Sequence, residues 1–171
     1  MCCHLKVDER TFINKAQINI MMDKKLILLS IVIIILLLSG CSKETGTNFD
    51  YKIREVIVAN QTITVQIADN DEKRTQGLMY QEELGEFEGM FFIFEEEDYL
   101  NFWMKNTPIP LDIIFINSEF EIENIHTAEP CKRNECLFYG SERPAKYVLE
   151  VNAGFSEKYG LSENMMLDFT I

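Results

Sequence analysis

NFWMKNTPIPLDIIFI, residues 101–116, places a lysine, an asparagine and an aspartate inside an otherwise apolar run. Thr107-Pro108-Ile109-Pro110 divides it. Two prolines in four residues bar a helix and interrupt any hydrogen-bonded ladder. The pieces on either side read as two strands, LNFWMKN (100–106) and LDIIFIN (111–117), joined by a proline turn. By alternation Phe102 and Met104 share one face of the first strand, and Trp103 and Lys105 share the other. Lys105-Asn106 ends that strand and Asp112 begins the next, so the sequence offers two readings. In one the polar residues staple a turn, with Asn106 satisfying backbone groups and Lys105 pairing with Asp112. In the other Arg74, Trp103, Lys105, Asn106 and Asp112 line a small polar pocket.

Outward from this stretch the chain keeps a β character. TITVQIAD (62–69) alternates cleanly, GMFFIF (89–94) reads as a strand buried on both faces, and FEIENIHTA (120–128) alternates again. AKYVLEVNAG (145–154) and MMLDFTI (165–171) complete the strands. Asn70-Asp71-Glu72 starts a short helix that ends near Gly77, and FSEKYG (155–160) is a second, closed by Gly160. Glu95-Glu96-Glu97-Asp98 reads as a solvated loop, since the ligand spacing and turn glycine of a calcium loop are absent. Seven or so short strands with two brief helices predict a mainly β (α+β) fold: one compact β-sandwich or barrel-like domain rather than an alternating parallel sheet.

The N-terminal part carries an address. Met22-Asp23-Lys24-Lys25 precedes an unbroken apolar run, Leu26–Leu38, and then Ser39-Gly40-Cys41. Thirteen residues span roughly 20 Å as a helix, short of the about 30 Å of a bilayer core, so the pattern is that of a cleaved secretory signal. Leu38-Ser39-Gly40-Cys41 resembles the lipobox of prokaryotic lipoproteins, which implies cleavage before Cys41, a diacylglycerol on its sulfur and a membrane-tethered product. The expected organisation is an extension upstream of the true start over 1–20, a signal peptide over 21–40, a polar tether over 41–55 and the domain over 56–171.

From Cys41 to Ile171 the chain has 131 residues, with 11 Lys and Arg against 25 Asp and Glu, a net charge of −14. Such a surface repels nucleic acid and anionic headgroups, so nucleic-acid partners are excluded and membrane contact is assigned to the lipid on Cys41. With Cys41 lipidated, Cys131 and Cys136 remain as an even pair, which an exported setting favours as a disulfide. C-x4-C lacks the usual zinc spacing and no second pair exists, so no metal and no cofactor is expected.

GxxxxGK, GxGxxG, HExxH and GxSxG motifs are all absent. His126 is the only histidine after Cys41 and suits a structural place better than a triad. The reading that results is a non-catalytic small-ligand or protein-interaction domain at the cell envelope. Its alternatives are a hydrolase working through carboxylates, or Cu(I) handling through Met79, Met90, Met104, His126 and the cysteines.

RTQGLMYQEEL, GMFFIF, NFWMKNTPIPLDIIFI, HTAEPCKRNEC and YVLEVNAGF occur in this order and together resemble the domain of unknown function 192 family. The likeness covers roughly residues 60–170. Its motif positions fall on Arg74, Gly77, Leu78, Met79, Gly89 and Met90, on Trp103, Met104, Lys105 and Asn106, and on Pro110, Asp112 and Glu150. The resemblance implies a compact, mostly β domain often found in exported or lipid-linked proteins. It implies no established activity, and it makes the cysteine pair an accessory staple.

Overall fold

The computed structural model describes residues 49–132 and 135–169. The signal segment, the lipobox and Cys41 lie outside the described residues. Strand β1 (Lys52–Val58) turns through Ala59 and Asn60, both at positive φ, into β2 (Gln61–Ala68). Two consecutive positive-φ residues match the right-handed twist of the paired strands, as in the tightest hairpins. Helix α1 (Asp71–Gln76) follows. The Asn70 side chain accepts from the Lys73 N–H at 2.9 Å, and Gly77 at φ 49° closes the helix.

Strand β3 (Glu88–Asp98) then lies parallel to β2, and β4 (Asn101–Trp103) leads into the proline turn. The chain continues through β5 (Leu111–Ile116), β6 (Ile122–Ala128), β7 (Phe138–Gly140) and β8 (Ala145–Asn152), then α2 (Phe155–Tyr159) and β9 (Asp168–Phe169). Seven strands form one curled, half-barrel sheet in the order β6-β5-β8-β3-β2-β1-β9, and β4 and β7 form a separate two-stranded sheet. The fold is therefore mainly β with two short helices, as the sequence predicts. No described helix is long and apolar enough to cross a membrane.

While β1 keeps one face in water, both faces of the large sheet are buried over β5 and much of β8. On one, Val56, Ile63, Val65, Phe91, Ile114 and Leu149 pack with Phe155 of α2. On the other, Met90, Phe92, Ile113, Phe115 and Val148 pack with Leu78, Leu100, Phe102 and Met104, delivered by the connections and by β4. This double cover is why LDIIFI is a continuous apolar run: every residue of β5 is buried. Each large side chain so removed from water contributes about 1.5–3 kcal/mol before entropy is charged. At Gly89 β3 passes so near β8 that a Cβ would stand 2.5 Å from the Glu150 carbonyl oxygen.

Two expectations need correction. The acidic run Glu95–Asp98 is the exposed end of β3 and not a loop. Pairing with β8 shifts register between Ile93 and Asp98, so this end of the strand projects its charges into water. Strand β1 begins at Lys52, inside the segment assigned to the tether, because its outer residues are exposed and charged and read as linker. The β2–β3 pair is parallel through the α1 crossover, while the other ladders of the large sheet are antiparallel, in keeping with the expectation that this is not an alternating parallel sheet.

Candidate ligand-binding site

The segment Trp103–Pro110 connects the small sheet to the large one, and its side chains part company according to the face they meet. Phe102 and Met104 turn into the second core, while Trp103 and Lys105 face outward, as alternation predicts. Trp103 is 42 % exposed and stacks on Phe138 of β7, with ring centroids 6.0 Å apart and planes 13° from parallel. Lys105 holds its ammonium 5.0 Å from the centre of the Trp103 ring, a cation–π distance. Among the described residues no carboxylate pairs with Lys105.

Asn106 is the residue that staples. It sits at φ 57°, a left-handed conformation that asparagine tolerates. The Thr107 N–H donates to the Met104 carbonyl at 3.2 Å and closes the turn around it. The Asn106 carbonyl accepts from the Tyr80 N–H at 2.8 Å, and its amide donates to the Tyr80 hydroxyl at 2.9 Å. Tyr80 is itself at φ 65°, so the two strained residues hold each other.

Asp112 does not join them. It is fully buried, and by alternation along β5 it shares the face of Ile114 and Ile116, the opposite one from Met104. Its two oxygens accept from the Thr127 hydroxyl and from the Ser156 N–H, each at 2.8 Å. The expected Lys105–Asp112 pair is therefore not made, because the chain crosses from one face of the sheet to the other between them. Arg74 is turned inward from α1. It donates to the Ile93 carbonyl at 2.7 Å, pairs with Asp71, and lies 5.0 Å from the Phe94 ring.

Around this segment three hollows adjoin. A groove of about 640 Å³ runs between Trp103, Lys105 and Asn106 on one side and Cys131, Cys136 and Phe138 on the other. The two cysteines are joined in a disulfide, Cα atoms 4.7 Å apart, so the staple read from the sequence also forms a wall of this groove. A second hollow of about 340 Å³ shares Asn106 and Cys131 and reaches Tyr80 and Pro130. A third, of about 40 Å³, lies beneath, where Arg74, Trp103, Thr107 and Glu150 meet. Burial pushes the Glu150 carboxyl up to about 8, since removing a carboxylate from water disfavours the charged form.

The soft donors do not converge. Met90 and Met104 are core residues, the two sulfurs of Cys131 and Cys136 are bonded to each other, and the His126 Nε2 lies 2.9 Å from the Gly140 carbonyl. Among the described residues no three His, Cys, Asp or Glu side chains group around a point that could hold a metal. Trp103, Lys105 and Asn106, three of the five residues expected around a pocket, line the same groove. Glu150 enters from the sequence as a motif position without a place in the pocket, and Phe138 does not enter at all. Glu150 did leave a signal, an acid in the middle of KYVLEVN, whereas Phe138 in CLFYG left none.

The model of the domain of unknown function 192 family, described as "Uncharacterized ACR", matches residues 54–169. Among solved structures, a "putative transcription regulator" of Sinorhizobium meliloti 1021 is 36% identical with a TM-score of 0.66, covering 71% of this chain and 97% of its own. A protein of unknown function from Novosphingobium aromaticivorans DSM 12444 is 28% identical with a TM-score of 0.63, covering 75% of this chain and 94% of its own. No curated protein matches.

Proposed function

The chain belongs to the domain of unknown function 192 family, and we propose that this member is a lipid-anchored envelope protein whose domain binds a small polar or anionic ligand beside Trp103 without transforming it. The observation that carries the reading is Lys105. In a chain of net charge −12 it stands without a carboxylate partner among the described residues, over a half-exposed indole, at the edge of a 640 Å³ groove. An ammonium beside two stacked rings is suited to a ligand with an anionic group and a flat body. The anchor is supported by the apolar run and Ser39-Gly40-Cys41, and the disulfide is in keeping with an oxidising compartment.

The hydrolase reading loses Asp112, since both of its oxygens are committed to the fold. Cu(I) handling loses its thiolates to the disulfide. Direct binding to nucleic acid, which the description of the S. meliloti protein raises, is opposed by the acidic surface.

Trp103 is the chain's single tryptophan, so its fluorescence reports on the groove and on the small cavity it also borders. Titration with benzoate, which carries a carboxylate and a flat ring, is expected to give a saturable change. Lys105→Met is expected to weaken it about tenfold, the loss of one charge-assisted contact, with the thermal melt unchanged. A Lys105→Met protein that binds benzoate as the wild type does, or that unfolds, would return Lys105 to a structural role.

A further inference from the structure

Glu150 occupies a position where a carboxyl group is hardest to keep. On β8 it pairs across the sheet with Met90 of β3 and with Ile113 of β5, and it is 5 % exposed. Met90, Ile113 and Val148 around it are core residues. A strand interior of this kind takes valine or leucine unless the acid has a use, because burying an unpaired acid opposes folding.

The carboxyl opens on the small cavity of about 40 Å³ whose walls include Arg74, Phe102, Trp103 and Thr107. Arg74 is the one other charged residue lining it, and its guanidinium is engaged by Ile93 and Asp71. Burial is what acts on Glu150, with no hydrogen bond from the described residues to offset it, and it favours the uncharged form at neutral pH. A neutral carboxyl offers one O–H donor and one carbonyl acceptor side by side. One water needs about 10–15 Å³ in such a space, so the cavity has room for about three heavy atoms. A cation there would meet the Arg74 guanidinium and would require Glu150 to ionise. An anion would be stripped of water against a guanidinium already paired.

We propose that this cavity is a binding subsite for the carboxamide of a small ligand, or an equivalent uncharged donor–acceptor pair, with Glu150 as its hydrogen-bonding partner. Trp103 is the wall shared with the groove, so the inference rests on the groove reading for the placement of the rest of the ligand. An amide N–H and carbonyl meet the two faces of the neutral carboxyl in a cyclic pair, and Trp103 stands close enough to sense it.

The test is acetamide titrated into the full chain and followed by Trp103 fluorescence, with benzoate run in parallel. The expected result is saturable acetamide binding that weakens about thirtyfold between pH 6.5 and 9.5, as a group titrating near 8 loses its proton. Glu150→Gln keeps a donor and an acceptor, so it should bind acetamide with no such pH dependence. Glu150→Leu should fold, judged by its melt, and lose saturation. A linear response, equal binding by Glu150→Leu, or methylammonium binding in preference to acetamide would overturn the proposal. Acetamide failing while benzoate still depends on Lys105 removes the subsite alone. Benzoate failing while acetamide saturates removes the groove reading alone.

Discussion

Lys105 and Asn106 are adjacent in sequence, and only Asn106 is spent on the fold. Asn106 ties the proline turn to Tyr80 through its carbonyl and its amide, while Lys105 is left over an indole with no carboxylate partner among the described residues. The sequence poses staple against pocket for the pair as a unit. What separates them is the left-handed φ at Asn106, which a primary sequence does not display. Glu150 shows the same limit in another form. Its identity in an apolar strand is legible, but the cavity it opens on is made by residues up to 76 positions away (Arg74 to Glu150).

Its burial has a consequence for stability. The folded carboxyl keeps its proton to about pH 8, whereas the unfolded one releases it near its ordinary value of 4.5. Between these values the native state binds more protons than the unfolded state, so this contribution is complete below 4.5 and is lost as pH rises through 8. The slope reaches at most about 1.4 kcal/mol per pH unit. Asp69 acts in the opposite sense. The Lys52 hydrogen bond first, with Lys73, holds it below its usual range, so its effect falls in acid, below about pH 4. Urea denaturation at pH 5, 6, 7 and 8 should therefore show wild-type stability falling and Glu150→Gln staying flatter. Parallel curves would contradict the assignment.

At the scale of elements, β5 does the most to organise the molecule. Its six buried residues feed both cores, and the polar one among them, Asp112, fixes α2. Gly154 precedes that helix and offers no side-chain cap, so the Asp112 carboxylate supplies the acceptor for the Ser156 N–H from another strand. A negative group there also suits the positive end of the helix. Asp112→Ala should cost about 2–4 kcal/mol, because it removes two charge-assisted bonds and leaves the N–H of the buried Ser156 without its acceptor. It should leave benzoate binding to the folded protein intact. Equal chemical stability of the variant, or loss of binding without loss of stability, would move Asp112 back into the site.

The remaining elements divide by how local their signals are. β2, β5, the two helices and their glycine ends follow from alternation, continuous apolar runs and capping residues. β4 and β7 pair across 35 or more residues, from Trp103 to Phe138, through a register no local pattern announces. That pairing is what builds the aromatic platform. The disulfide is legible from cysteine arithmetic and contributes about 2 kcal/mol for a loop of this size. Its place as a groove wall is not legible, because that depends on where β7 lands.

For the whole molecule, a sheet whose central strands are buried on both faces leaves little surface for function there except at its ends and connections. The functional candidates gather at one such place, where the β4–β5 connection, the disulfide loop and the β2–β3 crossover meet. Fold class could be read early because it depends on strand number and helix length. The groove could not, since it is assembled from separated segments. The acidic surface excludes whole classes of partner without selecting one, which is why the uncompensated Lys105 weighs so much in the reading.

The most direct measurement is native mass spectrometry of the full chain, extracted from the membranes of its own cells, beside its denatured mass. A small ligand should be retained under native conditions and lost on denaturation, and it should be missing from Lys105→Met prepared in the same way. The denatured mass should still carry the diacylglycerol on Cys41. Native and denatured masses that agree in the wild-type protein would contradict a ligand-binding domain.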